Sequence, residues 1–129
     1  ENSVISGIPR SMPALSAAQL LQDRASSVDF DWKEIDGVLK QVIEEVREFE
    51  AASTRNEKTS EMGDILFSLV NLSRWLNIDA EGSLRQANKR FGSRFKKMEE
   101  LSQKSQKSLE KLDAHEKEAL WEEAKKQLS

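Results

Sequence analysis

"VIEEVREFEAASTRNEKTSEMGDILFSLV", Val42 to Val70, places apolar side chains at helical spacing on both sides of a polar turn, with carboxylates beside them. Before the turn the stripe is Ile35, Val38, Leu39, Val42, Val46 and Phe49; after it come Met62, Ile65, Leu66, Leu69, Val70, Leu72 and Leu76. A repeat of three to four residues is the signature of an amphipathic α-helix. The turn, Ser53–Thr59, is short, so the two helices should pack antiparallel. Glu45 and Glu48 are three residues apart, as are Glu61 and Asp64, and each pair therefore shares a helix face. Each carboxylate directly precedes a stripe residue (Val46, Phe49, Met62, Ile65), which predicts a place at the edge of the buried face.

Packed antiparallel, the two pairs face each other around one space. Like charges ~4 Å apart repel by about 4 kcal/mol at an effective dielectric near 20. A hard divalent cation relieves this, and Mg²⁺ takes oxygen ligands, keeps several waters and suits phosphate-bearing substrates. The rival reading is a solvated, salt-bridged helix face. It suits "EEVRE" alone but fits two pairs on matching core edges poorly. Di-iron bundles use Glu-x-x-His pairs, whereas the single histidine here, His115, is far along the chain and reads as a surface residue. Gly63, inside the third helix, costs about 1 kcal/mol relative to Ala. It predicts either a close approach to the backbone or tight helix packing.

Outward from this hairpin the chain reads as helix throughout. Pro13 opens a first helix, with Ser11 as a possible cap, and Leu15, Ala18, Leu21 and Ala25 recur along it. "SSVDFDW" (26–32) connects to the second helix, which begins near Trp32. "NIDAEG" (77–82) turns into a fourth helix carrying Leu84, Ala87, Phe91, Phe95, Met98 and Leu101. "SQKSQKSLEKLD" (102–113) reads either as an extension of that helix or as a mobile linker. A last helix, from about Ala114 to Leu128, has Leu120, Trp121, Ala124 and Leu128 on its apolar side. The expectation is an all-α, four-helix-bundle-like domain over 12–129 with an additional C-terminal helix, preceded by a loop or linker at 1–11. The third helix is apolar around most of its circumference and needs cover on several sides. One chain offers little of that, so a homodimer or dimer of dimers is expected.

Composition bounds the function. With 129 residues, 20 basic against 23 acidic side chains and a net charge of −3, the whole chain is no electrostatic partner for nucleic acid. It has no cysteine, which removes thiolate chemistry and disulfides. That fits a cytoplasmic setting. No apolar run approaches the roughly 20 residues that span a bilayer, so no membrane partner is expected. Between Arg85 and Met98 stand six basic residues and no acidic one. Arg90 and Arg94 are i, i+4 and border Phe91 and Phe95; guanidinium forks match phosphate oxygens. An acidic metal box with an arginine pair describes a site for a nucleotide polyphosphate. Trp32, Trp75 and Trp121 are candidates to stack on a base, with core filling as the alternative.

The stretch "IEEVREFEAA...EKTSEMGDILFSLVNLSRWLNID" resembles the MazG family of nucleoside triphosphate pyrophosphohydrolases, which carry Glu-Glu-x-x-Glu on one helix and Glu-x-x-Asp on the next. "SMPALSAAQLLQDRASSVDFDW" is similar to that family's first helix and Gly-Phe-Asp-Trp turn, with Asp29 where Gly is usual. "LRQANKRFGSRFKKME" resembles its basic fourth helix, and "LWEEAKKQL" its closing Trp segment. The resemblance implies an all-α, usually dimeric fold and Mg²⁺-dependent hydrolysis of ribo- or deoxyribonucleoside triphosphates to monophosphate and pyrophosphate, a housecleaning of the nucleotide pool. Mn²⁺ is a possible substitute metal. It implies Glu45, Glu48, Glu61 and Asp64 as metal ligands and Glu44 as the carboxylate that takes a proton. Lys40, Arg90 and Arg94 are implied at phosphates, with Trp32, Trp121 and Lys125 at the nucleotide. Two alternatives remain beside this: a selective dUTP or modified-nucleotide pyrophosphatase, and a catalytically silent nucleotide-binding dimer. Many family members carry two such domains, and "ENSVISGIPRSMPAL" resembles the approach to the second.

Overall fold

The computed structural model describes residues 2–128. The expected linker (1–11) and domain (12–129) extend to Glu1 and Ser129, which lie outside the described residues. The described residues form five α-helices and one 3-10 turn, with no strand among them: α1 Ala14–Ser26, α2 Ile35–Ala51, α3 Arg55–Trp75, α4 Ala80–Lys104, then the 3-10 turn Leu109–Lys111, and α5 Ala114–Leu128. Among the described residues no helix is long and apolar enough to cross a membrane. The all-α class and the additional C-terminal helix are as expected. Two compact units divide the chain, Glu1–Ser83 and Leu84–Ser129.

In the first unit α3 packs against both α2 and α1. α2 begins at Ile35, three residues later than Trp32, because the Phe30–Trp32 turn is drawn onto α3. α3 begins at Arg55, earlier than the expected turn allowed, because Thr54 caps it. The Thr54 hydroxyl accepts from Glu57 N (3.1 Å), and the Glu57 carboxylate accepts from Thr54 N (3.0 Å). This reciprocal pair satisfies free N–H groups of the first turn. Ser11 plays no such part at α1, whose N-cap is Pro13 with no side-chain bond.

Three helices stop in the same way. Phe30 N bonds to Ala25 O, Ile78 N to Ser73 O and Lys107 N to Ser102 O. The residue before each donor (Asp29, Asn77 and Gln106) has φ near +60°. This is the Schellman closure, usually made by glycine; Asp and Asn tolerate it among L-residues. Asp29 thus adopts the left-handed conformation that a glycine would favour there. The 102–113 segment is neither a plain helix extension nor a loose linker. α4 runs to Lys104, closes at Gln106, and Ser102 Oγ donates to the Lys107 carbonyl, with Ser102 and Leu112 buried.

The face that α2 buries differs from the expected one. Val38 is buried, Val42 and Phe49 are half-buried, and Glu45 stands among them at 7% exposure. Glu45 is therefore inside the α2–α3 contact and not at its edge. Leu39 and Val46, expected in the core, are exposed and join Ile43 in a second stripe. α3 shows the same division: Ile65, Ser68 and Leu72 turn inward, while Met62, Leu66 and Leu69 are exposed. At about 100° per residue, both exposed stripes lie roughly a quarter-turn from the α2–α3 contact, in the same rotational sense. In antiparallel helices that puts all six residues, each 40–53% exposed, on one side of the hairpin. Gly63 meets nothing within 4 Å of the place its Cβ would occupy, so no close packing within the chain explains it.

In the second unit Met98, Ser102, Leu112 and Ala124 are buried. The Phe91 ring lies 5.4 Å from Trp121 and 5.9 Å from Phe95, centroid to centroid.

Candidate metal and nucleotide site

The inward turn of Glu45 brings it to α3. Ligand oxygens of Glu45, Glu61 and Asp64 lie within 4.8 Å of one another. Glu48, the fourth expected ligand, is within hydrogen-bonding reach of Glu61. Glu45 Oε1 accepts a 2.5 Å bond from Gln41 Nε2, one turn earlier on α2. Glu45 Oε2 and Glu61 Oε2 are buried and have no hydrogen-bond partner among the described residues. Burial raises the Glu45 carboxyl above its ordinary value, and the charges of Glu48, Asp64 and Glu61 raise it further, against a smaller opposing effect of Gln41. Burial also raises Glu61, followed by the charges of Glu48 and Asp64. Two unpaired buried carboxylate oxygens in an all-oxygen cluster fit a hard cation best.

Glu45 and Asp64 also line a cavity of about 870 Å³ in the first unit. Phe30 and Trp32 form part of its wall, and Phe30 is 80% exposed. That wall is held by Asp31. Its Oδ1 accepts from Arg74 Nη2 (2.6 Å), Trp75 Nε1 (3.0 Å) and Trp32 N (2.8 Å). Burial alone would raise the Asp31 carboxyl, but the bonds from Arg74, Trp75 and Trp32 outweigh it and hold it below the usual range. Arg74 is fixed in turn by Nε donation to Asn71 Oδ1 at 2.9 Å. The Trp32 indole lies against Gly37, where an added Cβ would be 2.7 Å from Cε3. Trp75 thus ties the turn to α3, and Trp32 is the tryptophan that faces the cavity.

The remaining expected residues lie elsewhere. Glu44 and Lys40 are exposed on α2 and do not belong to the carboxylate cluster. Arg90 and Arg94 share a cavity of about 460 Å³ with Lys89, within the second unit. Trp121 packs on Phe91, and Lys125 pairs with Glu122 at 3.2 Å. His115 is exposed, as expected. The site residues that the sequence reading passed over are Gln22, Asp31, Gln41 and Arg74. Gln22 carried a visible signal: it falls on the apolar stripe of α1, four residues after Ala18.

Over 125 residues the chain is 46% identical to the nucleoside triphosphate pyrophosphohydrolase/pyrophosphatase MazG of Thermotoga maritima, a match taking in 97% of this chain and 49% of that protein. The likeness to a protein named MazG runs over nearly the whole of this chain. It is 36% identical over 132 residues to the nucleoside triphosphate pyrophosphohydrolase of Escherichia coli K12, covering 98% of this chain and 50% of that one. Similarity at 37% over 130 residues extends to the uncharacterized protein YabN of Bacillus subtilis, 26% of which is matched. No protein-family model matches. The chain spans about half the length of the two pyrophosphohydrolases.

The carboxyl shifts predict a pH dependence with two opposite parts. For Glu45 and Glu61 the folded pKa lies above the ordinary 4.5. Their contribution to stability is complete below 4.5 and is lost as pH rises through the folded values. Asp31 works the other way: its contribution holds above 3.8 and is lost as pH falls through its lowered value. Thermal melts in EDTA should therefore show Glu45→Gln more stable than the parent at neutral pH, with the gap closing toward pH 4.5. A neutral-pH Tm for Glu45→Gln below that of the parent would contradict this assignment of strain.

Proposed function

We propose that residues 12–129 are a MazG-like domain that hydrolyses nucleoside triphosphates to the monophosphate and pyrophosphate in a Mg²⁺-dependent reaction. The observation that carries the reading is the trio of carboxylates within 4.8 Å, two of them with an unpartnered buried oxygen and two of them, Glu45 and Asp64, lining an aromatic-walled cavity of about 870 Å³. The names of the Thermotoga and Escherichia relatives support it. Glu45, Glu61 and Asp64, with Glu48 beside Glu61, would hold the metal. Bound there, Mg²⁺ supplies positive charge against the triphosphate and Lewis acidity toward water and phosphate oxygens.

The chain's own residues supply the rest. Gln41 orients Glu45 through the 2.5 Å bond to Oε1, leaving Oε2 for the metal. Trp32, backed by Gly37 and anchored through Asp31, presents a rigid aromatic surface to the base. Arg90 and Arg94, which share a cavity with Lys89, are proposed to bind phosphate oxygens as bidentate donors. Glu44, outside the cluster, is the carboxylate proposed to accept the proton of the attacking water. Trp121 and Lys125 are proposed contacts to the nucleotide, and a role in clearing the nucleotide pool follows if the substrate range is broad.

The domain is also proposed to act as a homodimer or a dimer of dimers. The six-residue apolar side of the α2–α3 hairpin supports this, since all six side chains are exposed. Burying such a face on a second copy follows the isologous pattern of symmetric dimers.

Two outcomes are expected. With Mg²⁺ the chain should release pyrophosphate and monophosphate in equal amounts, stopping with EDTA, and Glu61→Ala should lose at least about a hundredfold in kcat/KM while remaining helical by circular dichroism. Orthophosphate with a diphosphate product, or full activity in Glu61→Ala, would refute the reading. Light scattering at micromolar concentration should give two or four times 14.7 kDa, and Leu66→Asp should reduce it. A folded 14.7 kDa parent would remove the dimer.

A further inference from the structure

Gln22 is buried at 7% exposure and lines the large cavity. Its Nε2 donates to the Phe67 carbonyl of α3 at 2.9 Å. That bond fixes which end of the amide is which, because a carbonyl only accepts and a flipped amide would set two oxygens together. Gln22 Oε1 is then left buried without a hydrogen-bond partner. Four other polar side chains around the cavity are engaged: Gln41 with Glu45, Ser68 with the Ile65 carbonyl, Asn71 with Arg74, and Arg74 with Asp31. An acceptor left unpaired in a closed site costs free energy until a donor reaches it.

We infer that Gln22 is a specificity-determining residue that reads the nucleobase as a class, accepting a hydrogen bond from an N–H on its Watson–Crick edge. The inference rests on the pyrophosphohydrolase reading and adds to it what the cavity asks of its substrate. Each of the common bases carries such a donor: the exocyclic amine of adenine and cytosine, the ring N–H and amine of guanine, and the ring N–H of uracil and thymine. An accepting oxygen selects for this shared feature and does little to separate one base from another. Trp32 and Phe30 on the same cavity supply the complementary, equally base-tolerant stacking surface. Oε1 is itself buried, so a base seated against them meets it only once the amide turns. A hydrogen-bond acceptor in a buried site discriminates strongly against an analogue that lacks the donor, since the acceptor is then unpaired in the complex.

The test compares ATP with the triphosphate of unsubstituted purine riboside, which keeps the ring and lacks the amine. Pyrophosphate release is measured for both, with the parent and with Gln22→Met. The parent should favour ATP in kcat/KM by about 5- to 100-fold. In Gln22→Met the ratio should fall to near one, through loss on ATP and not gain on the analogue, while ATP turnover stays EDTA-sensitive. A parent that treats the two alike overturns the inference, and this arm needs no variant to fold. A preference that survives in Gln22→Met also overturns it. Absence of pyrophosphate release from either compound is a different failure, that of the hydrolase reading itself, and the inference falls with it.

Discussion

The constraint on which the first unit depends is the burial of Glu45 between α2 and α3, among Val38, Val42 and Phe49 and against Glu61 and Asp64. A carboxylate leaving water for such a place loses solvation, and like charges nearby add to the cost. Hydrophobic packing of two helices does not require it, and a leucine at the same position would pack better. The arrangement is explicable when the cost is offset by something that binds. Two unpartnered buried oxygens, Oε2 of Glu45 and of Glu61, are where it would attach.

Other features of this unit position the surroundings of the carboxylates. The capping box at Thr54 and Glu57 fixes where α3 starts, and hence the phase at which Glu61 and Asp64 meet α2. The left-handed turn at Asp29 ends α1 and throws Phe30 and Trp32 toward the cavity. Asp31 then ties that turn to Arg74 and Trp75 at the far end of α3. Gln22 links α1 to α3 in the middle through the Phe67 carbonyl. The result is an α2–α3 hairpin with two unlike sides. One carries the cavity with its carboxylates, and the other carries Leu39, Ile43, Val46, Met62, Leu66 and Leu69.

Much of this was legible in the sequence because a helix has a fixed period. The hairpin, its two acidic pairs and the C-terminal helix follow from spacing alone. The phase of α2 was not legible, since its apolar residues form two stripes and the chain does not say which one it covers itself. Treating Leu39 and Val46 as core moved Glu45 to the edge, whereas in the fold those two residues are left outside. The Asp31–Arg74 tie joins positions 43 residues apart and has no local signature. Gln22 was legible but unread: a polar residue on the apolar stripe of α1 is a signal in its own right. The positive φ at Asp29 was hidden because the usual glycine is absent.

The central claim, that the buried carboxylates are held in place by a bound cation, is tested most directly by thermal melting of the parent chain under added Mg²⁺, with NaCl at equal ionic strength as control. A cation that binds only the folded state raises stability by RT ln(1 + [L]/Kd), which is about 2.7 kcal/mol at a hundredfold excess over Kd. The account predicts a saturable rise in Tm with Mg²⁺, absent with NaCl and absent in Glu61→Gln. A Tm that Mg²⁺ leaves where NaCl leaves it, or a rise that Glu61→Gln retains in full, would contradict it.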